Sequence, residues 1–384
     1  MTAPPTIDVD PFEMIRSEGA AQVRSVRTRL RRRSLIVSVV LGISLVAMFC
    51  LSMVVGDFPL SLGEVLQSLV GQGSRATDFI VFELRLPRTL SGMLVGFCFG
   101  LAGAIFQSMI RNPLASPDII GITSGASASA VVAILVFGFS GIIVSLFSLV
   151  GAAITALAIY LLAWKQGVSG YRLVLIGIGI AAMLASVIDF LMTRADIFDA
   201  QTALLWLTGS LNAISTDKMF PLLILMAIVV PVTLWASRAL SGLQLGDDTA
   251  KSVGIRVEHS RLMLILFGVA LAAIATAAAG PIGFVAFVSG PIARRLTRGT
   301  GIALIPAGLV GAMVVTCADF AGQHFRETAA IVSAVISPAT GLLVDFANVP
   351  LLDVSLPVGV LTAAVGAPYL LYLLVVSNRV GSGG

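Results

Sequence analysis

Ten apolar runs punctuate this sequence, at about 34–55, 89–110, 118–138, 141–163, 172–192, 219–237, 262–280, 282–296, 303–320 and 356–376. A helix needs about 20 apolar residues to cross the hydrocarbon core of a bilayer. That feature leaves little choice of fold: an all-α polytopic membrane protein with ten transmembrane helices is predicted. Composition agrees. Of 384 residues, 57% are hydrophobic and 11% charged, with a mean hydropathy of +1.01, whereas roughly a quarter of a soluble domain is charged. The net charge of +4 is scattered between apolar runs, so no nucleic-acid partner is predicted. Cys50, Cys98 and Cys317 lie far apart inside apolar runs and read as packing residues, with no disulfide or metal framework.

The basic residues set the orientation. Placing the amino terminus in the cytoplasm leaves Arg111, Lys165, Arg172, Arg238, Lys251, Arg256, Arg261, Arg294, Arg295, Arg298 and Arg379 inside, with seven N-terminal arginines. Only Arg75, Arg85, Arg88, Arg194, Lys218 and Arg326 fall outside. Eighteen against six is a positive-inside bias, and it predicts that both termini are cytoplasmic. Residues 1–33 form a basic cytoplasmic extension, 34–376 the membrane domain and 377–384 a cytoplasmic tail. Six arginines between Arg24 and Arg33 read as an orientation signal and a contact for anionic lipid. No small-residue cleavage site follows the first run, which reads as an uncleaved anchor.

The stretch from Arg85 to Ala130 carries the densest pattern. Within its apolar run, Gly92, Gly96, Gly100 and Gly103 recur at four- and three-residue steps and give one nearly bare helix face. In lipid such a face admits a neighbouring backbone, because packing drives association there. Arg85 and Arg88 stand before the run, and Asn112-Pro-Leu-Ala115 follows it. The helix and its flanking turns are predicted to line a path through the membrane. Two polar segments are longer than ordinary connections. Residues 194–218 predict an amphipathic surface helix. Residues 239–261 predict a compact cytoplasmic docking element around a short helix bracketed by Gly246 and Gly254.

Catalytic material is scarce. His259 and His324 fall on opposite sides of the membrane in this topology, and no H-E-x-x-H, C-x-x-C or G-x-S-x-G occurs. The run from Gly246 to Ser252 lacks the spacing of a phosphate loop, so the chain is predicted not to bind ATP, and not to be an enzyme. Asp189 and Asp319 are the candidate acids for ion coupling inside spans, both near outer helix ends, and a structural or pore-lining role is favoured over a proton relay. Transport against a gradient then calls for an external motor.

These motifs resemble the FecCD family, the permease subunits of type II ABC importers for ferric siderophores, vitamin B12 and haem. The resemblance rests on Arg85-Leu-Pro-Arg88, on Gln107 with Arg111 to Ala115 and Pro117, and on Gly121 with Gly125 and Ala126. It extends to Leu245, Gly246, Ala250 and Gly254, to Gly280–Val285 with Ile292–Arg295, and to Leu356–Gly359 with Thr362 and Gly366–Leu370. It implies a subunit of the bacterial cytoplasmic membrane, paired with a second permease subunit, two cytoplasmic ATPases and an extracytoplasmic binding protein. Arg85 and Arg88, with Arg326 in place of the family's arginine near Gln323, would receive acidic residues of the binding protein. Leu245, Gly246, Ala250 and Gly254 would seat in the ATPase. Gln107, Asn112, Leu114, Gly170 and Tyr171 would fall at the path and its cytoplasmic gate. Membrane lipids surround the subunit, and no cofactor or metal site is implied, since iron would travel inside its chelator.

Two departures from the pattern stand out. Ser289-Gly290-Pro291 replaces the family's Pro-His turn, and residues 326–354 are a couple of dozen longer than the usual link. That insertion is read as a re-entrant or surface hairpin at the outer mouth, ahead of an extra span. The leading expectation is import of an iron–siderophore complex; cobalamin or haem import, an ion-coupled carrier built on Asp189 and Asp319, and a non-transporting scaffold are the alternatives.

Overall fold

A computed structural model describes residues 11–165, 169–212, 214–298, 302–325 and 355–381. The 326–354 insertion, Arg326 and the two chain ends lie outside the described residues. Those residues form helices: α1 Pro11–Val54, α2 Leu62–Leu69, α3 Arg75–Asp78, α4 Leu86–Ile110, α5 Ile122–Leu135, α6 Ile142–Ala163, α7 Gly170–Arg194 and α8 Ile197–Leu207. There follow α9 Thr216–Ala236, α10 Leu240–Leu243, α11 Asp247–Ser252, α12 Val257–Ala279, α13 Val285–Thr297, α14 Leu304–Gln323 and α15 Val358–Gly381.

Seven helices among the described residues are long and apolar enough to cross a membrane. The predicted spans at 118–138 and 282–296 fall on shorter helices, α5 and α13, whereas α15, Val358–Gly381, covers nearly all of 356–376. Prolines and glycines shorten α5 and α13. Pro113 and Pro117 keep 111–121 out of a helix, so α5 starts only at Ile122, behind Gly121 at φ 87°. Pro281 and two positive-φ residues, Gly280 and Phe284, delay α13, and Arg298 at φ 48° ends it. Its 13 residues reach about 20 Å, short of a bilayer core of about 30 Å. Most of α13 is instead buried in protein.

α4 is the centre of the packing, against α14, α12, α13 and α9. Its glycine face is used as predicted. A methyl group on Gly96 would collide with Gly311 O, on Gly100 with Ala307 O, and on Gly103 with Ala286 O. Two α14 carbonyls and one from α13 thus lie against bare α4 backbone. α3 runs into α4 through a π-helical turn, Phe79–Arg85, so the helical segment starts at Arg75, well before the predicted residue 89. The predicted surface helix is α8, with Ala203 buried and Ile197 and Phe198 exposed.

Candidate functional site at the α4–α5 loop and the α11 segment

α4 ends at Arg111, whose φ of 56° reverses the chain. Asn112 then builds the turn: its Oδ1 accepts from Leu114 N at 2.9 Å, and its carbonyl accepts from Ala115 N at 3.1 Å. An Asx turn ahead of Pro113 is the local reason for this bend. Asn112 is exposed and Leu114 half-buried. Gly170, at the start of α7, packs on Ile110, and Gly121 packs on the carbonyl of Gly177. The loop and the first half of α7 therefore form one unit. Tyr171 points away from it, 76% exposed.

Gln107 lies one turn before the end of α4. It is buried, with Nε2 donating to Phe287 O at 2.9 Å and Oε1 accepting from Arg294 Nη2 at 3.1 Å. It fastens α4 to α13 behind the loop. Asp118 sits within the loop, outside both helices. Although the residue is half-buried overall, its Oδ2 is shut off from solvent without a hydrogen-bond partner. Burial pushes its carboxyl up to about 6 from 3.8, against a smaller lowering by the Thr123 hydroxyl.

The α11 segment faces the same end of the molecule. Gly246 (φ 105°) and Gly254 (φ 84°) frame it in backbone conformations that favour glycine. Ala250 is fully buried and anchors the helix, whereas Leu245 and Val253 are each 62% exposed and Gly254 has open space around it. At its start, Asp247 accepts from two arginines, one far away in sequence and one on the next helix. Arg111 Nη2 reaches Oδ1 at 3.2 Å, and Arg261 Nη2 on α12 reaches Oδ2 at 3.0 Å. Arg261 also pairs with Glu258 at 3.4 Å. Asp247 thus joins α11, the α4–α5 loop and α12. Sequence reasoning did not single out Asp247, and no spacing signal exists for partners 136 residues apart.

Arg85 and Arg88 lie at the opposite end, and the chain itself occupies both. The Arg85 guanidinium donates to Met53 O at 2.5 Å, Val54 O at 3.2 Å and Phe58 O at 2.5 Å, which caps the end of α1. Arg88 forks onto Asp319 with contacts of 2.8 to 3.2 Å, and Gln323 Nε2 donates to the same carboxylate at 2.8 Å. Asp319 is buried. Asp189 is exposed on α7. A cavity of about 520 Å³ opens at this end, lined by Phe139, Trp206, Asn212, Lys218 and Leu356 among others. No cluster of His, Cys, Asp and Glu suited to a metal occurs among the described residues.

Residues 44–344 match the FecCD transport family. The chain is 38% identical over 327 residues to the ferric enterobactin transport system permease protein FepG of Escherichia coli, covering 84% of this chain and 91% of that one. It is 34% identical over 355 residues to the iron(3+)-hydroxamate import system permease protein FhuG of Bacillus subtilis, covering 90% and 98%. Its fold matches a chain from an inward-facing structure of a metal-chelate type ABC transporter, with a TM-score of 0.73, 25% identity and coverage of 88% and 98%. The chain belongs to the FecCD transport family and is a multi-pass membrane permease component of an ABC importer.

Proposed function

We propose that this chain is the transmembrane subunit through which an ATP-driven importer moves an iron–siderophore complex across the bacterial cytoplasmic membrane. In this reading ten segments span or enter the bilayer and both termini are cytoplasmic. Separate ATPase subunits hydrolyse ATP, a second permease subunit completes the path, and an extracytoplasmic binding protein delivers the chelate. The substrate class is supported by the names of the relatives, which include ferric enterobactin and iron(3+)-hydroxamate systems.

One observation carries the coupling mechanism: Asp247 holds the exposed α11 segment to Arg111 at the head of the α4–α5 loop. An ATPase gripping Leu245, Gly246 and Gly254 pushes on α11, with Ala250 as its inner anchor. Asp247 passes the displacement to Arg111, and so to Asn112 and Leu114 at the gate and to Gly170 packed against α4. The Arg111–Asp247 pair, with 48% and 41% of its side-chain surfaces exposed, contributes under about 1 kcal/mol to stability. Its value here is mechanical.

At the outer rim the binding protein docks beside Arg85 and Arg88, with Arg326 as a third candidate contact. Arg88 keeps 19% of its side-chain surface exposed next to Asp319, so an incoming carboxylate competes with Asp319 for the guanidinium fork. That ion pair also weakens the ion-coupled alternative, which rests on Asp189 and Asp319, by committing Asp319 to Arg88.

The test is reconstitution of the subunit with its ATPase and binding protein in vesicles, followed by uptake of a panel of ferric chelates. Uptake of at least one ferric siderophore that stops when the ATPase is inactivated is the expected result. Concentrative uptake by the subunit alone under a proton or sodium gradient would sink the proposal.

A further inference from the structure

At the α11 end, away from α11 itself, α13 lies between α1 and α15, and arginines from two of these elements gather there. Arg33 Nε donates to Leu296 O at 3.1 Å, which pins α1 to the last turn of α13. Arg29 lies one turn earlier on the same face of α1. Arg294, Arg295 and Arg298 close α13, and the Arg295 guanidinium stands 5.3 Å over the Tyr372 ring of α15. Tyr369, one turn before Tyr372, interacts electrostatically with both Arg294 and Arg295. Its hydroxyl is buried with no hydrogen-bond partner.

Among the described residues, no acid is paired with these charges. The ion pairs found among the described residues use Arg88, Arg111 and Arg261, and none includes Arg29, Arg33, Arg294, Arg295 or Arg298. A cluster of cations without an acid repels itself unless an anion joins it. Depth tells what kind. Arg33 directly precedes the first apolar run, so the cluster lies at headgroup level rather than in the aqueous phase. Guanidinium forks match a phosphate diester, and an idle phenol supplies one more donor.

We infer that the ends of α1, α13 and α15 form a binding site for the headgroup of an anionic phospholipid of the cytoplasmic leaflet. Arg295 and Arg298 meet the phosphate from the exposed side, Arg29 and Arg33 from α1, and the Tyr369 hydroxyl donates from within. Arg294 stays committed to Gln107, so an occupied site stiffens the α4–α13 junction behind the gate loop. The site does not depend on which chelate is carried.

Native mass spectrometry of the intact permease, with and without its ATPase subunits, tests this using phosphatidylglycerol against phosphatidylethanolamine. Wild type is expected to retain phosphatidylglycerol selectively. Removing one surface arginine weakens headgroup attraction about five-fold, so R295Q/R298Q should lower phosphatidylglycerol affinity about 25-fold. Tyr369→Phe, which removes a single oxygen, should lower it about five-fold. Equal retention of the two lipids, or unchanged phosphatidylglycerol affinity in both variants, would overturn the site. So would displacement of phosphatidylglycerol by the ATPase subunits together with weaker ATPase binding by R295Q/R298Q, since the patch would then be a protein interface.

Discussion

Asp319 shows what a single carboxylate does inside this protein. It is buried, forked onto Arg88 and bonded by Gln323. Breaking a buried pair strands the other charge, so Asp319→Ala should destabilise the protein by about 3–5 kcal/mol. Replacing both residues with leucine should cost far less, and thermal unfolding in detergent compares the two. Asp118 works in the opposite sense. Its folded carboxyl titrates at about 6 rather than 3.8, so the folded state binds more protons between those values and stability falls as pH rises through that window. Asp118→Asn should therefore raise stability at pH 7 by about 1–2 kcal/mol, after discounting for partial exposure, and change little at pH 3. A variant equally stable with wild type at both pH values would refute that assignment. Neither role was legible in the sequence: Asp319 read only as an acid near a helix end, because its partner is 231 residues away.

Helices are legible where apolar length alone decides them, and α6, α7, α9, α12 and α14 follow the predicted spans closely, whereas α1 begins at Pro11 rather than at residue 34 and the α4 segment at Arg75 rather than at residue 89. The glycine face of α4 was legible too, since four- and three-residue steps fix a face without knowledge of the neighbour. The neighbours themselves, Gly311, Ala307 and Ala286, were not. Gly100→Leu should prevent α4 and α14 from closing and leave little folded protein, measured as monodisperse yield in detergent. α5 and α13 were misjudged in length because hydropathy does not separate a spanning helix from a buried half-helix. α11 behaves as a designed protrusion: two positive-φ glycines, a buried alanine and an exposed rim. Gly254→Trp should leave basal ATP hydrolysis intact while uptake drops at least ten-fold. Normal uptake by that variant would remove α11 from the coupling path.

Across the whole molecule, the proposed function puts the transmission at the α11 end and the fastening at the Arg85–Arg88 end. Arg111→Gln, which breaks only the exposed pair to Asp247, should shift stability by under about 1 kcal/mol yet raise the ATP hydrolysed per chelate transported several-fold. The charge exchange Arg111→Asp with Asp247→Arg would restore part of the coupling if the contact matters by its sign. Apolar side chains of α1, α6, α7 and α9 remain exposed on the isolated subunit, among them Ile43, Ile154, Met183 and Ile228. Lipid and a second subunit are what such a surface is made for. Sequence patterning named the class of this assembly without saying which helix meets which.

The π-helical turn at Phe79–Arg85 has a consequence for movement. By joining α3 to α4 without a break, it lets two arginines three positions apart rivet one helix to two others: Arg85 to the end of α1, Arg88 to α14. Those three tips are bolted together, while the opposite tip of α4 is held by the Gln107 contacts to α13, by packing of Ile110 on Gly170 and by surface charges around Asp247. On the coupling proposed above, a stroke delivered at α11 swings this trio about the Arg85–Arg88 end, as a lever about a fixed pin. Hydrogen exchange that quickens with nucleotide turnover at Arg111–Gly121, and not around Val54 or Asp319, is the signature of that pivot.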